Sequence, residues 1–120
     1  MPRRVLIIDD NPEFRSAACQ LLERHGFVVV AEAGSGISGI AKAIEHRPDL
    51  VLLDVQLQDI DGFEVAERLS RLDIPVEVVL TSSLDGTDFG ALVASSSALG
   101  FIPKAELSAR AIEALLTPTR

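Results

Sequence analysis

Val5-Leu6-Ile7-Ile8-Asp9-Asp10-Asn11-Pro12 (residues 5–12) decides how the rest of the chain is read. Four aliphatic residues run without a polar break, two acids follow, and an Asn-Pro pair comes next. An unbroken aliphatic run of this kind reads as a strand buried on both faces, the habit of parallel sheets covered by helices. Asn11 suits an N-cap, and Pro12 suits the first helical position, where a missing N–H loses no partner. The stretch therefore predicts a strand, an acidic turn and the start of a helix.

Working outward, the same arrangement recurs. Further apolar runs lie at Phe27–Val30, Leu50–Leu53, Val76–Leu80 and Phe101–Ile102. Between them, apolar residues fall at helical spacing: Phe14, Ala17, Ala18, Leu21 and Leu22, then Ile37, Ile40, Ala41 and Ile44, then Gly62, Val65, Ala66 and Leu69. Leu107, Ala111, Ala114 and Leu115 predict a last helix face, and Asp85–Ala98 a less regular one that ends in Ser95-Ser96-Ser97. Asp61 followed by Glu64 resembles a capping box, and Gly26 stands where the first helix should stop. Five strand–helix units with short connections, and no linker or repeat, predict one α/β domain over residues 1–120 with helices on both faces of a parallel sheet.

Composition narrows the function classes. Eighteen acids against eleven bases give a formal charge of −7, which disfavours direct nucleic-acid binding because phosphate contacts need clustered Lys and Arg. No apolar run approaches the roughly 20 residues of a membrane span. Met1-Pro2-Arg3-Arg4 and the short run after it lack the long apolar stretch of a signal peptide. Cys19 is the one cysteine, so no internal disulfide can form, and the expected compartment is a reducing cytoplasm.

The chemistry collects where the predicted strands stop. The first ends in Asp9-Asp10, the third in Asp54, the fourth in Thr81 and the fifth at Lys104. Parallel strands present all their C-terminal ends along one edge, the edge at which open α/β sheets bind ligands. Each residue alone has a plain reading: an Asp as a helix cap, Thr81 as a β-former, Lys104 as a surface cation. Three carboxylates brought together repel one another, however, and oxygen donors converging in this way suit a hard divalent cation such as Mg²⁺. A carboxylate becomes a competent nucleophile toward a phosphoryl group once the donor's anionic oxygens are neutralised. Asp54, at the end of the central run, has the best position for that role. Asp9 and Asp10 are better placed as metal ligands, Lys104 as a positive charge and Thr81 as a hydrogen-bond donor. His25 and His46 fall near helix ends, away from this edge, and Gly34-Ser35-Gly36 reads as a turn, because no Gly-Lys-Ser/Thr follows it.

These residues resemble the receiver domain of two-component response regulators. The resemblance covers essentially the whole chain and rests on residues 5–11, on Leu53-Asp54-Val55-Gln56-Leu57 with Asp61-Gly62, on Leu80-Thr81-Ser82, and on Gly100-Phe101-Ile102-Pro103-Lys104. It implies a flavodoxin-like (βα)5 domain with its sheet in the order 2-1-3-4-5. It implies that a sensor histidine kinase or phosphotransfer protein donates a phosphoryl group from phosphohistidine to Asp54. Asp10, Asp54 and the backbone carbonyl of Gln56 would ligate Mg²⁺, with Asp9 assisting through water. Thr81 and Phe101 match the family's switch pair, which would reshape the surface of helix 4, strand 5 and helix 5 toward an output domain or target protein. The same face could join two copies on phosphorylation.

The chain also departs from the pattern. Gln58 stands where many receivers carry proline, and Ala105 follows Lys104 where many carry a cis-proline, a trait of the subgroup attached to helix-turn-helix output domains. Gln56 and Ser83 occupy positions that tune dephosphorylation. Two alternatives to the switch remain: a receiver-like interaction module that is never phosphorylated, and an aspartyl-phosphate hydrolase. The hydrolase needs an acid two residues after its nucleophile, where Gln56 stands, and a cap over its substrate. The expectation is a signalling switch and not an enzyme acting on an external substrate.

Overall fold

The computed structural model describes residues 2–73, 75–83 and 90–116. Its elements alternate: β1 (Arg4–Ile8), α1 (Pro12–Arg24), β2 (Val28–Ala33), α2 (Gly36–His46), β3 (Leu50–Asp54), α3 (Gly62–Ser70), β4 (Glu77–Ser82), α4 (Gly90–Ser95), β5 (Gly100–Pro103) and α5 (Ala109–Leu116), with a 3-10 turn at Lys104–Glu106. All strand pairs are parallel and the sheet order is β2-β1-β3-β4-β5, the flavodoxin-like topology. The beginning of the predicted Asp85–Ala98 stretch, Phe89 included, lies outside the described residues.

Successive strand side chains point to opposite faces, so each aliphatic strand feeds two cores. Val5, Ile7, Leu50, Leu52, Val79 and Ile102 face α1 and α5 and pack on Ala18, Leu22, Ile112 and Leu116. Leu6, Ile8, Val51, Leu53, Val78 and Leu80 face the other way, onto Ala43, Val65, Ala66 and Leu69. Every residue of β3 is buried, as expected of the central strand. No helix among the described residues is long and apolar enough to cross a membrane.

The caps follow the sequence. The Asn11 side chain accepts from the N–H groups of Glu13 and Phe14, and Ser35 accepts from Ser38. Asp61 accepts from the Glu64 N–H at 2.9 Å, while the Glu64 carboxylate pairs with Arg68. Gly26 takes φ +91°, left-handed backbone that only glycine adopts cheaply, just beyond the end of α1.

Three predicted helix faces need correction. In α2 the buried residues are Gly36, Gly39 and Ala43, whereas Ile37 and Ile44 are 54% and 52% exposed and Ala41 is exposed. Small residues win that face because the helix lies directly on β1: a Cβ added to Gly39 would overlap the Ile8 side chain. In α5 the predicted Leu107, Ala111 and Leu115 do pack at the core edge, but the fully buried residues are Ala109, Ile112 and Leu116, and Ala114 is exposed. Ser108 caps this helix, its hydroxyl accepting from the Ala111 N–H at 3.0 Å, so the helix begins after Leu107 and its face is rotated from the predicted one. In α1 Ala17 is exposed, while Phe14, Ala18, Leu21 and Leu22 pack inward as predicted.

Candidate functional site

The C-terminal strand edge gathers the chemistry. Asp9 follows β1 directly, Asp54 is the last residue of β3, Thr81 is its partner on β4, and Lys104 follows β5. Asp9, Asp54 and Thr81 are 1%, 4% and 1% exposed. Ligand oxygens of Asp9, Asp10 and Asp54 lie within 4.8 Å of one another. At an effective dielectric constant near 20, two like charges about 5 Å apart repel by roughly 3 kcal/mol. Such a trio therefore calls for compensation.

Lys104 supplies part of it. Its ammonium lies 2.8 Å from Asp9 Oδ2 and 3.3 Å from Asp54 Oδ2, bridging both carboxylates. Backbone donors supply more: the Asn11 N–H reaches Asp9 Oδ1 at 2.8 Å, and the Gln56 N–H reaches Asp54 Oδ1 at 2.9 Å. Burial pushes the Asp54 carboxyl above its ordinary range, and the Asp9 charge adds to that, against the Gln56 N–H and Lys104. Burial would lower the Lys104 pKa, but its bond to Asp9 and the charges of Asp54 and Asp9 outweigh it and hold the ammonium above the ordinary lysine value.

The donor set suits a divalent cation. Three carboxylates face one ammonium, which leaves an excess of negative charge for hard oxygen coordination. The Thr81 hydroxyl, buried beside Asp54 on the ladder, has no hydrogen-bond partner among the described residues. An unsatisfied buried hydroxyl of this kind costs stability unless something arrives to meet it.

The structure thus brings together five of the predicted residues: Asp9, Asp10, Asp54, Thr81 and Lys104. Phe101 is half-buried on β5, opposite Leu80, and packs into the cluster on the α3 side of the sheet. Gln56 is exposed, and its side-chain oxygen accepts from Ser82 at 3.2 Å. His25 and His46 stand at the C-terminal ends of α1 and α2, and half-buried Cys19 packs at the rim of the α1-side core.

Sequence reading missed several supports. Arg15 donates to the Asp9 carbonyl and pairs with Glu32. Phe14 lies under Lys104, its ring centroid 4.4 Å from the ammonium. Asp59, in the loop after β3, accepts from the backbone of α2. Arg15 and Phe14 could have been found only by noticing that α1 starts two residues after the acids and so must pass beside them.

Comparison with known proteins agrees with this geometry. A family model for the response regulator receiver domain matches residues 5–116. The virulence transcription regulator BvgA of Bordetella pertussis is 40% identical over 106 residues, which cover 88% of this chain and 51% of BvgA. The chemotaxis protein CheY of Bacillus subtilis is 30% identical over 115 residues, 96% of each chain. The structure of a LuxR-family two-component response regulator from Aurantimonas sp. SI85-9A1 superposes with a TM-score of 0.86 at 29% identity, covering 97% of this chain and 86% of that one. An acidic cluster at the C-terminal strand edge of a flavodoxin-like sheet is the form of a receiver domain. The chain belongs to the response regulator receiver domain family of two-component systems. It spans about half the length of BvgA.

Proposed function

We propose that this domain is a phosphorylation-controlled switch in which Asp54 takes a phosphoryl group from the phosphohistidine of a sensor kinase or phosphotransfer protein. The observation that carries the reading is the buried Asp54 carboxylate bridged to Asp9 through the Lys104 ammonium. An Asp54 oxygen attacks phosphorus while the P–N bond to the imidazole breaks, and the electron pair of that bond leaves on the ring nitrogen. Lys104 follows the negative charge as it moves from the carboxylate onto the phosphoryl oxygens, and the Thr81 hydroxyl gains there the acceptor it lacks.

Asp10, Asp54 and the Gln56 carbonyl would hold Mg²⁺, with Asp9 assisting through water. When bound, the ion neutralises charge on the carboxylates and phosphoryl oxygens. Phe101, one position along β5 from the Thr81 partner Ile102, is the second member of the switch. Its rearrangement with Thr81 would reshape the α4–β5–α5 face toward an output domain or target, or toward a second copy of the chain. BvgA is named a transcription regulator, and the match covers only 51% of it, which favours a DNA-binding output domain as the controlled partner. The domain would then act on its own phosphoryl group and on no external substrate, in the cytoplasm where its kinase works.

Intact-protein mass after incubation with acetyl phosphate, with and without Mg²⁺, tests the reading. A Mg²⁺-dependent gain of one phosphoryl group, labile to hydroxylamine and absent in Asp54→Ala, is expected. No adduct in rapidly quenched samples, with beryllofluoride also failing to bind, overturns it in favour of a phosphorylation-independent interaction module.

A further inference from the structure

The Lys104 ammonium has neighbours on three sides, and two of them are the carboxylates of Asp9 and Asp54. The third is the face of Phe14, whose ring centroid lies 4.4 Å away. Phe14 comes from the first turn of α1, anchored because Asn11 accepts the Phe14 N–H at 3.2 Å and the ring packs against the α1-side core. The Lys104 side chain is only 17% exposed, so water does little of the solvation at this point. A cation held within about 6 Å of an aromatic centroid is attracted by the ring's quadrupole, most strongly where water is excluded.

We propose that Phe14 is a positioning residue for phosphoryl transfer, acting through Lys104. The proposal rests on the phosphoacceptor reading of Asp54. On transfer the charge that Lys104 must meet moves outward, from a carboxylate oxygen to phosphoryl oxygens. A third carboxylate at the Phe14 position would hold the ammonium back by a directional bond and compete with those oxygens. A water contact would leave it free to swing out. A ring face does neither, because its attraction has no hydrogen-bond direction and persists as the ammonium shifts. Phe14 therefore keeps Lys104 over the carboxylates before transfer and lets it follow the phosphoryl group afterwards.

The test replaces Phe14 with phenylalanines carrying one, two and three ring fluorines, which nearly keep the shape and progressively weaken the quadrupole. Phe14→Leu and Phe14→Trp are added, and each chain's initial rate of phosphorylation by phosphoramidate in Mg²⁺ is measured. The expected result is a graded fall along the fluorine series, a loss of about three- to tenfold in Phe14→Leu, and recovery in Phe14→Trp. In a Lys104→Met background the fluorine series should be flat. Thermal melts check that each variant is folded, and the Lys104 side-chain proton shifts report the ring directly, losing their upfield displacement in Phe14→Leu. Equal rates along the series in a chain that phosphorylates normally overturn the role of Phe14 alone. A wild-type chain that takes no phosphoryl group at Asp54 overturns this proposal together with the reading it rests on.

Discussion

Asp59 caps α2 from outside the helix: one carboxylate oxygen accepts the Gly36 N–H at 2.8 Å, and the other accepts the Ile37 N–H at the same distance. The loop after β3, which leaves directly from Asp54, is thereby tied to the N-terminus of the helix that lies on β1. The opposite end of α2 is held in a matching way, by the Arg4 guanidinium donating to the carbonyls of His46 and Arg47 at 2.7 and 2.6 Å. An anion at the positive end and a cation at the negative end both suit the helix dipole.

The Asp59 contact predicts a pH signature. Its backbone partners, Ile37 and then Gly36, lower the carboxyl pKa from 3.8 to about 2. A depressed acid contributes stability that is fully present above the unfolded value and is lost as pH falls through the folded one. Melting temperatures of wild type and Asp59→Asn should therefore differ above pH 3.8 and converge as pH approaches 2. A gap that stays constant through that window would mean that the charge contributes nothing.

Two glycines predict different costs for the same change. A Cβ on Gly62 would overlap the Asp54 carbonyl oxygen and the Val55 Cα, so Gly62→Ala must push α3 off the end of β3. That should cost roughly 2–4 kcal/mol and, on the proposed reading of Asp54 as the acceptor, slow phosphorylation as well, because the displaced backbone carries that residue. Gly26 has open space around its Cα but a φ of +91°. Gly26→Ala should cost about 1–2 kcal/mol of backbone strain with the phosphorylation rate unchanged. Urea unfolding with parallel rate measurements separates the two cases.

The corrected face of α2 can be tested in the same manner. Ile44→Gln alters a side chain that is half exposed and should move stability by less than about 0.5 kcal/mol. Gly39→Ala inserts a methyl group against Ile8 and should cost about 1–3 kcal/mol, partly recovered by Ile8→Val. Equal costs for Ile44→Gln and Gly39→Ala would restore the isoleucine face read from the sequence.

That face shows where sequence reading ends. β1, β3 and β4 were legible because full burial demands unbroken aliphatic runs, and the acidic edge because five chemically matched residues stand at the ends of four of the five strands. α2 misled because hydrophobicity ranks isoleucine above glycine, while close approach to β1 ranks them the other way. The Phe14 contact was hidden by its own suitability for the core: nothing in an aromatic residue at helical spacing says that one of its faces meets an ammonium. Asp59 was hidden because capping between distant elements leaves no local spacing to find.

The site itself predicts a conflict between stability and function. Asp54 is buried, and its carboxyl is pushed up by that burial and by Asp9, with the Gln56 N–H and Lys104 only partly offsetting them. Asp54→Asn removes one of three crowded negative charges while keeping the shape. In metal-free buffer it should therefore raise stability, by roughly 1 kcal/mol, and abolish phosphorylation. Added Mg²⁺ should reverse the order, stabilising wild type by mass action and leaving the variant little changed. Lys104→Met should act oppositely in metal-free buffer, lowering stability because it leaves Asp9 and Asp54 buried without their cation. Thermal melts of the three proteins, with and without Mg²⁺, measure the stabilities, and intact mass after acetyl phosphate measures the phosphorylation. If wild type gains nothing from Mg²⁺ while Asp54→Asn still melts higher, the acids are crowded for some purpose other than holding a metal ion.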